Sequence, residues 1–305
     1  MSMPTASYAE RRTALASRAA CYLELAKPRI AALVLVTVAV AAFVGSWTRP
    51  DPLLLLHTLV GTALIAASAS ALNQWVERRS DLLMERTADR PLPAGRIPAS
   101  EVLVVGAVAA VAAVLYIGTV VNWLTAMIGL LTWFLYVVVY TPMKARTPAN
   151  TVVGAIAGAL PVLMGWTAVG APLALSAGGL KAATLFFIVY LWQFPHFMAI
   201  AWIYREQYAA ARLQMLTVVD PTGRRAGVQA IVAALALLPI SLLPALDRLA
   251  GPVYIAGALL LSGIYLYYST QFFLERSDVS ARRLLRASLV YLPALLALFM
   301  LVPLI

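Results

Sequence analysis

The charged segment around which the chain is organised reads NQWVERRSDLLMERTADRPLPAGR, from Asn73 to Arg96, and it separates two long apolar runs. Asn73, Glu77 and Asp81 are spaced four residues apart, so on a continuous helix they share one face. Three oxygen-bearing side chains stacked in this way can hold a hard divalent cation such as Mg²⁺. The ordinary alternative is a solvated loop whose charges only orient the neighbouring membrane helices. The arginines close enough to hold an anion beside such a cation are Arg78, Arg79, Arg86, Arg90 and Arg96.

The composition is that of an integral membrane protein. Of 305 residues, 62% are hydrophobic and 12% are charged, with a mean hydropathy of +0.86, whereas a soluble domain has about 25% charged residues. In a soluble protein the net charge of +10 would suggest nucleic acid as a partner. Here the basic residues lie in short connections between apolar spans, so membrane topology explains them and we expect no nucleic-acid partner. A single cysteine, Cys21, excludes an intrachain disulfide framework and a cysteine metal cluster.

The hydropathy pattern predicts an all-α polytopic membrane protein with nine transmembrane helices, each close to the ~20 residues that a bilayer requires. The third and fourth spans are separated only by a turn near Asn122. Residues 1–29 are predicted to be a cytoplasmic N-terminal tail rather than a cleavable signal, and residues 30–305 a single nine-helix domain. The predicted spans are Ile30–Trp47, Leu53–Trp75, Val102–Val121, Trp123–Tyr140, Thr151–Val169, Ala182–Tyr204, Gly227–Leu246, Val253–Phe273 and Leu284–Val302.

Basic residues fall almost entirely on one side of this topology. The N-terminal tail and the second, fourth, sixth and eighth connections contain 20 of the 23 Lys and Arg residues, and only Arg49, Lys181 and Arg248 lie on the other side. Because positively charged loops are retained in the cytoplasm, this asymmetry predicts a cytoplasmic N-terminus and an external C-terminus. Function is therefore expected on the cytoplasmic side, at the ends of spans two, four and six.

The fourth connection, YTPMKARTPAN at residues 140–150, is short and constrained. Pro142 and Pro148 are predicted to break the helices on both sides of it. Two basic residues in such a loop are common in membrane proteins, where they only set orientation. The whole cluster is more polar than orientation requires, and we interpret it as a candidate phosphate-binding loop. Its members are Tyr140, Lys144, Arg146 and Asn150.

The sixth span carries polar side chains inside an apolar helix, LWQFPHFMAIAWIYREQY at residues 191–208. Pro195 predicts a kink, and an intramembrane histidine such as His196 is a functional-site candidate. His196 would ligate a haem iron, relay a proton or only hydrogen-bond to a neighbour, and the residues alone leave these roles open. Four polar residues follow at the cytoplasmic end: Tyr204, Arg205, Glu206 and Gln207.

Three stretches together resemble the UbiA superfamily of intramembrane prenyltransferases, and within it the branch that farnesylates haem. They read NQWVERRSDLLMERTADRPL, YTPMKARTPANTVVGAIAGALPVLMGW and LWQFPHFMAIAWIYREQYAAARLQML. The resemblance runs from span two through the loop after span six, and the nine-span count agrees with a UbiA-like helical bundle. The first acidic motif alone is weakly specific, whereas MERTADRPL, TPMKARTP and WQFPHF together are specific for the haem branch.

The resemblance implies transfer of a farnesyl group from farnesyl diphosphate to the 2-vinyl group of haem b, with addition of water, giving haem O. The implied cofactor is Mg²⁺, and haem b is the acceptor substrate. Metal and cations favour departure of the diphosphate because its charge grows in the transition state. The implied catalytic residues are Asn73, Glu77, Asp81 and Lys144, and the implied metal ligands are Asn73, Glu77, Asp81 and Glu206. The implied substrate-binding residues, with His196 as the haem contact, are Arg86, Arg90, Tyr140, Arg146, Asn150, His196, Tyr204 and Arg205.

Three positions depart from the family pattern. Glu77 stands where the superfamily motif has Asp, which keeps the charge. Gln207 stands where the second acidic motif usually has Asp, and an amide supplies an oxygen without a charge. Either Glu206 takes the acidic role or the second motif binds metal more weakly. Arg212 also stands where a small residue is common.

Two other functions stay open at this point. One is a UbiA-type enzyme that prenylates an aromatic quinone precursor, and the other is a transporter or haem-handling scaffold without chemistry. The clustering of acids and bases on one side argues against a transporter, since no comparable charge lies in mid-membrane or outside. The resemblance also implies the bacterial cytoplasmic (inner) membrane, and a neighbouring haem A-forming enzyme that takes the product.

Overall fold

The computed structural model describes residues 8–46, 49–173, 177–246 and 251–301. The predicted span ends Trp47 and Val302, and the basic residue Arg248, lie outside these ranges. The helices are α1 Tyr8–Ala26, α2 Pro28–Gly45, α3 Pro52–Asp81, α4 Glu85–Ala88, α5 Ala99–Val120, α6 Trp123–Phe134, α7 Thr141–Met143, α8 Asn150–Ala168, α9 Ala177–Ile203, α10 Arg205–Ala210, α11 Leu216–Val219, α12 Arg224–Leu242, α13 Pro252–Glu275 and α14 Asp278–Leu301.

Nine helices within the described residues are long and apolar enough to cross a membrane, and the predicted nine-helix, all-α architecture is confirmed. Most boundaries agree with the sequence prediction to within a few residues. The exceptions are polar extensions: α3 continues to Asp81, and α14 already begins at Asp278. The hydropathy pattern identifies only the apolar part of a helix, so it does not detect polar helical turns that extend beyond the bilayer.

Local capping explains where two of the spanning helices begin. Pro52 is the first residue of α3, where its missing N–H leaves no hydrogen bond unmade. The Asp51 carboxylate accepts a hydrogen bond from Leu53 N at 2.8 Å. Asn122 caps α6 in the same way, with its Oδ1 2.8 Å from Thr125 N. The predicted tight turn near Asn122 is therefore confirmed.

The spanning helices form two groups, which contact each other where α8 packs against α9, and α2 packs on both groups. One group, α9, α12, α13 and α14, packs around an apolar core that includes Tyr291, and the other consists of α3, α5, α6 and α8 around Ile117. α2 crosses α8 at very short distance because Gly165 faces the backbone of Val38, where any Cβ would overlap the Val38 carbonyl. Close helix crossing at a small residue is typical of membrane bundles.

The charged connections meet at one end of the bundle. α1 lies against this end, where Leu25 is buried and the Arg18 guanidinium pairs with Glu101 of α5. Arg96 pairs with Glu24 of α1 at 2.7 Å. The segment that we predicted as a tail therefore contains a helix, and the domain boundary at residue 29 stays a prediction. We call this end of the molecule the charged end.

Candidate active site

The final turns of α3 bring the first acidic motif together as one buried face. Asn73 and Asp81 are 1% and 0% exposed, and the Glu77 side chain is 11% exposed. All three lie in one continuous helix, as their spacing predicts. Carboxylates this deeply buried are tolerated only when they are paired or coordinated. The alternative of a solvated loop therefore does not describe this face.

Each polar group of this face has one cationic partner. Arg90 Nη1 lies 2.7 Å from Asp81 Oδ2, and Lys144 Nζ lies 2.7 Å from Glu77 Oε1. Lys27 Nζ donates to Asn73 Oδ1 at 3.1 Å. Three basic side chains thus surround two carboxylates, an arrangement that suits an anionic ligand.

Lys27 is a site residue that the sequence prediction missed, because it was assigned to the tail. It caps α2 in the left-handed conformation, with φ of 49° immediately before Pro28. Burial, reinforced by the nearby Arg90 guanidinium, lowers the pKa of Lys27 to about 7. The sequence signal for it was a Lys-Pro pair at the start of the first span, which fixes a cation at the membrane boundary.

The fourth span reaches the site through a π-helix at Leu135–Tyr140. Pro142 lacks an N–H and would clash with the preceding turn of an α-helix, and the wider π turn accommodates it. The helix therefore continues through Met143, whereas we predicted a break at Pro142. Thr141 Oγ1 donates to Tyr136 O at 2.7 Å and accepts from Asn73 Nδ2 at 3.0 Å, which ties this turn to α3.

The Tyr140 ring contacts the ammonium group of Lys144. Its ring centroid lies 4.6 Å from Lys144 Nζ, a cation–π contact. The ring packs on Gly154 of α8, where an added Cβ would lie 2.7 Å from Tyr140 Cε2. Burial opposes the charge on Lys144, but the Glu77 carboxylate prevails and raises the pKa of this lysine well above its usual range. Lys144 is therefore held as a fixed cation.

Two connections close over the site at the charged end. Met84 packs with Tyr208, Leu213 and Met215 in a small apolar cluster. The Arg86 guanidinium lies 4.4 Å from the Tyr204 ring centroid and 5.8 Å from that of Tyr208. These contacts join the segment after α3 to the segment after α9 and shield the carboxylates from solvent.

We call the contacts of Arg86 with Tyr204 and Tyr208 the clasp. Gln207 and its neighbours contribute to it. Gln207 Oε1 accepts a hydrogen bond from Arg86 N at 3.3 Å, and Gln214 N donates to Lys144 O at 2.6 Å. Arg212, where a small residue is common, adopts a φ of 56°, a left-handed conformation that glycine adopts most readily. The connection after α9 thus contributes bracing contacts to the site.

The donor set fits a magnesium ion that is bound together with a diphosphate. Asp81 Oδ1 is buried and has no hydrogen-bond partner among the described residues, so one carboxylate oxygen is left for a ligand. No group of three or more His, Cys, Asp or Glu that could hold a metal occurs in the described part of the chain. The protein ligands would thus be Asn73, Glu77 and Asp81, with diphosphate oxygens and water completing the six oxygens that Mg²⁺ requires.

A model of the UbiA prenyltransferase family matches residues 34–300. The chain belongs to this family. It is 45% identical over 291 residues to the protoheme IX farnesyltransferase of Solibacter usitatus (strain Ellin6076), covering 92% of this chain and 97% of that protein. It is also 40% identical over 311 residues to the protoheme IX farnesyltransferase of Koribacter versatilis (strain Ellin345), covering 99% of both.

Solved structures share the fold of this UbiA-family prenyltransferase. Digeranylgeranylglyceryl phosphate synthase gives a TM-score of 0.75 at 15% identity, covering 93% of this chain and 97% of that one. A UbiA homolog from Archaeoglobus fulgidus bound to GPP and Mg²⁺ gives 0.64 at 16% identity, covering 92% and 99%. The predicted UbiA-like helical bundle is confirmed by these likenesses.

The remaining predicted site residues of this UbiA-family prenyltransferase lie outside the buried cluster. Arg146 is exposed, and Asn150 is fully buried but donates to Thr147 O at 2.6 Å, bracing its own loop. Arg205 Nη1 pairs with Asp278 at 2.7 Å and joins α10 to α14. Glu206 is 89% exposed and lies 3.7 Å from Arg205, so the structure does not place it beside the other predicted metal ligands.

His196 lies on the face of α9 that packs against α14. Its Nδ1 is 2.8 Å from Ser288 Oγ, and its ring stacks on Trp192 with centroids 4.9 Å apart. Any contact with a substrate would therefore use Nε2. The predicted role as a haem contact stays a prediction.

Proposed function

We propose that this UbiA-family prenyltransferase transfers the farnesyl group of farnesyl diphosphate to the 2-vinyl group of haem b, with addition of water, giving haem O. The observation that supports this proposal most strongly is the buried cluster at the charged end of the bundle, in which Glu77 and Asp81 lie among three basic side chains. Relatives that match nearly the whole chain bear the name protoheme IX farnesyltransferase.

The donor diphosphate would bind at the end of α3. Asn73, Glu77 and Asp81 would hold Mg²⁺, which would supply positive charge that neutralises the diphosphate and favours its departure. Lys27, Lys144 and Arg90 would contact the remaining diphosphate oxygens, where negative charge grows as the bond to the farnesyl carbon breaks. Two ion pairs hold Arg90 and Lys144 in place before the substrate arrives, and a hydrogen bond to Asn73 holds Lys27.

The aromatic rings beneath the cluster would face the developing allylic cation. The Tyr136 and Tyr140 rings are tilted by 33° with their centroids 5.3 Å apart, and the Tyr140 ring lies against Lys144 Nζ. Electron-rich ring faces stabilise a nearby cation. The clasp of Arg86, Tyr204 and Tyr208 would exclude bulk water, so that the haem vinyl group rather than solvent attacks the cation.

The charged end is proposed to face the cytoplasm of a bacterial cell, with the protein in the cytoplasmic membrane. The support is the distribution of basic residues, 20 of 23 on the side of the N-terminus. Reporter domains fused after residue 305 and after residue 96 would test this. We expect the first outside and the second inside, and the reverse would refute the orientation.

A direct assay tests the proposed reaction. The purified protein in nanodiscs is incubated with reduced haem b, farnesyl diphosphate and Mg²⁺, and haem O is identified by its mass. We expect product that disappears on chelation with EDTA and returns with added Mg²⁺. An aromatic quinone precursor replaces haem b in a parallel reaction, and prenylation of that acceptor alone would establish the alternative enzyme. No transfer to either acceptor would leave a scaffold or transporter.

The haem A-forming partner is a separate proposal. Haem O is too apolar to diffuse freely through water, so we infer that an enzyme in the same membrane takes it up directly. Co-purification of the two proteins from detergent-solubilised membranes tests this step. Failure to co-purify at every detergent concentration tested would contradict it.

A further inference from the structure

A long groove lies between α8 and α12 on the membrane-facing side of the bundle, with α9 as its floor. Its volume is about 890 Å³. The walls are apolar and include the exposed side chains of Val152, Val228 and Val232, the last 59% exposed. Tyr190 and Phe194 lie on the floor. Such a surface accepts a flexible hydrocarbon chain from the bilayer.

Only the charged end of this groove is strongly polar. Arg224 and Arg225 line it there, at the first turn of α12. Neither guanidinium forms an ion pair within 4.0 Å with any residue that the structure describes. The neighbouring acid, Asp220, is engaged by the Thr222 hydroxyl at 2.6 Å and by the backbone N–H of Arg225 at 2.8 Å. Two adjacent guanidiniums therefore meet the membrane surface next to an apolar channel.

We propose that this groove is a binding site for one anionic phospholipid, with an acyl chain along the valines and the phosphate on Arg224 and Arg225. The occupant must be anionic at one end and apolar along its length. Arginine binds phosphate oxygens in a bidentate manner. Basic pockets between membrane helices at the bilayer surface are suited to anionic head groups. This site goes beyond the proposed reaction and does not depend on it.

The position of the groove argues against either reaction substrate as its occupant. Val152 of α8 faces the groove, whereas Gly154, two residues later and on the opposite side of the helix, contacts Tyr140 of the active site. α8 thus separates the groove from Lys144. On α9, Phe194 faces the groove, whereas His196 faces α14.

The bound lipid would brace the loops that hold the site. Pro148 and Ala149 line the groove on one side, and Leu216 lines it on the other. These residues belong to the two connections that Gln214 N and Lys144 O join by a hydrogen bond. We therefore expect anionic lipid to raise the melting temperature of the protein.

Native mass spectrometry of the full-length protein tests the site. The protein in neutral detergent is titrated with phosphatidylglycerol or with phosphatidylcholine of the same acyl chains. Wild-type protein is expected to retain one phosphatidylglycerol preferentially. The double substitution Arg224→Gln/Arg225→Gln is expected to weaken this binding about twenty-fivefold, about fivefold for each arginine.

The matched control is Arg282→Gln/Arg283→Gln, which removes an adjacent exposed arginine pair from the first turns of α14. It is expected to change phosphatidylglycerol binding by about twofold or less. Both double variants should retain transferase activity, which shows that they are folded. Val232→Trp provides a second test, because it fills the channel without changing the charge and should also displace the lipid.

Three outcomes would overturn the proposal. The first is that both double variants weaken phosphatidylglycerol binding equally, and the second is that the wild type shows no preference for the anionic lipid. The third is that replacing Arg224 and Arg225 abolishes binding of haem b or farnesyl diphosphate and leaves phospholipid binding unchanged. The failure of the lipid site would leave the farnesyl transfer assay unaffected, so the two proposals are distinguishable.

Discussion

The end of α3 and the start of α10, which follows α9 directly, are two polar helix ends at the charged end of the bundle, yet they are built in opposite ways. At the end of α3, Glu77 and Asp81 are buried and each is paired with a cation. At the start of α10, Glu206 is 89% exposed, and Gln207 hydrogen-bonds to the backbone of Arg86. A buried charge cluster can act on a substrate because water does not screen it. A solvated helix end can only brace the structure around it.

The largest expected contrast between the two ends is in the rate of transfer. Asp81→Asn removes a metal-binding carboxylate and leaves Arg90 without its partner, so we expect a loss of about a hundredfold, or about 2.7 kcal/mol. Glu206→Gln should change the rate by about twofold or less. Steady-state assays of haem O formation measure both. Equal losses in the two variants would mean that both helix ends hold the metal.

The two ends should also differ in stability. Lys144→Met leaves the buried Glu77 carboxylate unpaired and should lower the free energy of unfolding by about 2 kcal/mol, since both side chains keep slight exposure. Arg205→Met breaks a partly solvated pair with Asp278 and should cost less than about 1 kcal/mol. Unfolding in mixed SDS micelles, followed by circular dichroism, compares them.

A double variant provides the control for this stability comparison. Glu77→Gln together with Lys144→Met removes both charges and should recover most of the lost stability. If the double variant loses as much stability as Glu77→Gln and Lys144→Met lose in total, the ion pair does not account for the contribution of Lys144 to stability.

Lys27 extends the comparison to the start of α2. Lys27→Met should raise the KM for farnesyl diphosphate about tenfold, because a charge-assisted hydrogen bond contributes about 1.4 kcal/mol or more. Lys27→Arg should retain part of the affinity. An unchanged KM in the methionine variant would assign Lys27 to the support of Asn73 alone.

The smallest effect is expected at Gln207. Gln207→Asp restores the acid that is usual in the family, yet its transfer rate and its Mg²⁺ requirement should stay within about twofold of the wild type, because this side chain braces Arg86. The Mg²⁺ concentration for half-maximal activity is the measurement. A several-fold fall in that concentration would show that the start of α10 binds metal and would remove the contrast between the two helix ends.

Particular residues show how far sequence reasoning reached within the site. The spacing of Asn73, Glu77 and Asp81 predicted their shared face, because one continuous helix fixes the positions of all three. Lys144 was predicted from a short loop between two prolines, and Tyr140 from the polar cluster at the start of that connection. Lys27 was missed, since its partner Asn73 is 46 residues away and only the packing of α2 beside α3 brings them together.

The sequence by itself determined the membrane class, the nine spans and the first acidic motif of this prenyltransferase. These features depend on local quantities: apolar length, helical period and the density of charge in each connection. Tertiary structure alone decided which charges are buried and which are solvated. Glu77 near the end of α3 and Glu206 in the first turn of α10 have the same side chain, but the first is enclosed by α2, the Lys144 loop and the Arg86 clasp. Their difference arises from long-range packing, which sets solvation and therefore the strength of every charge in the site.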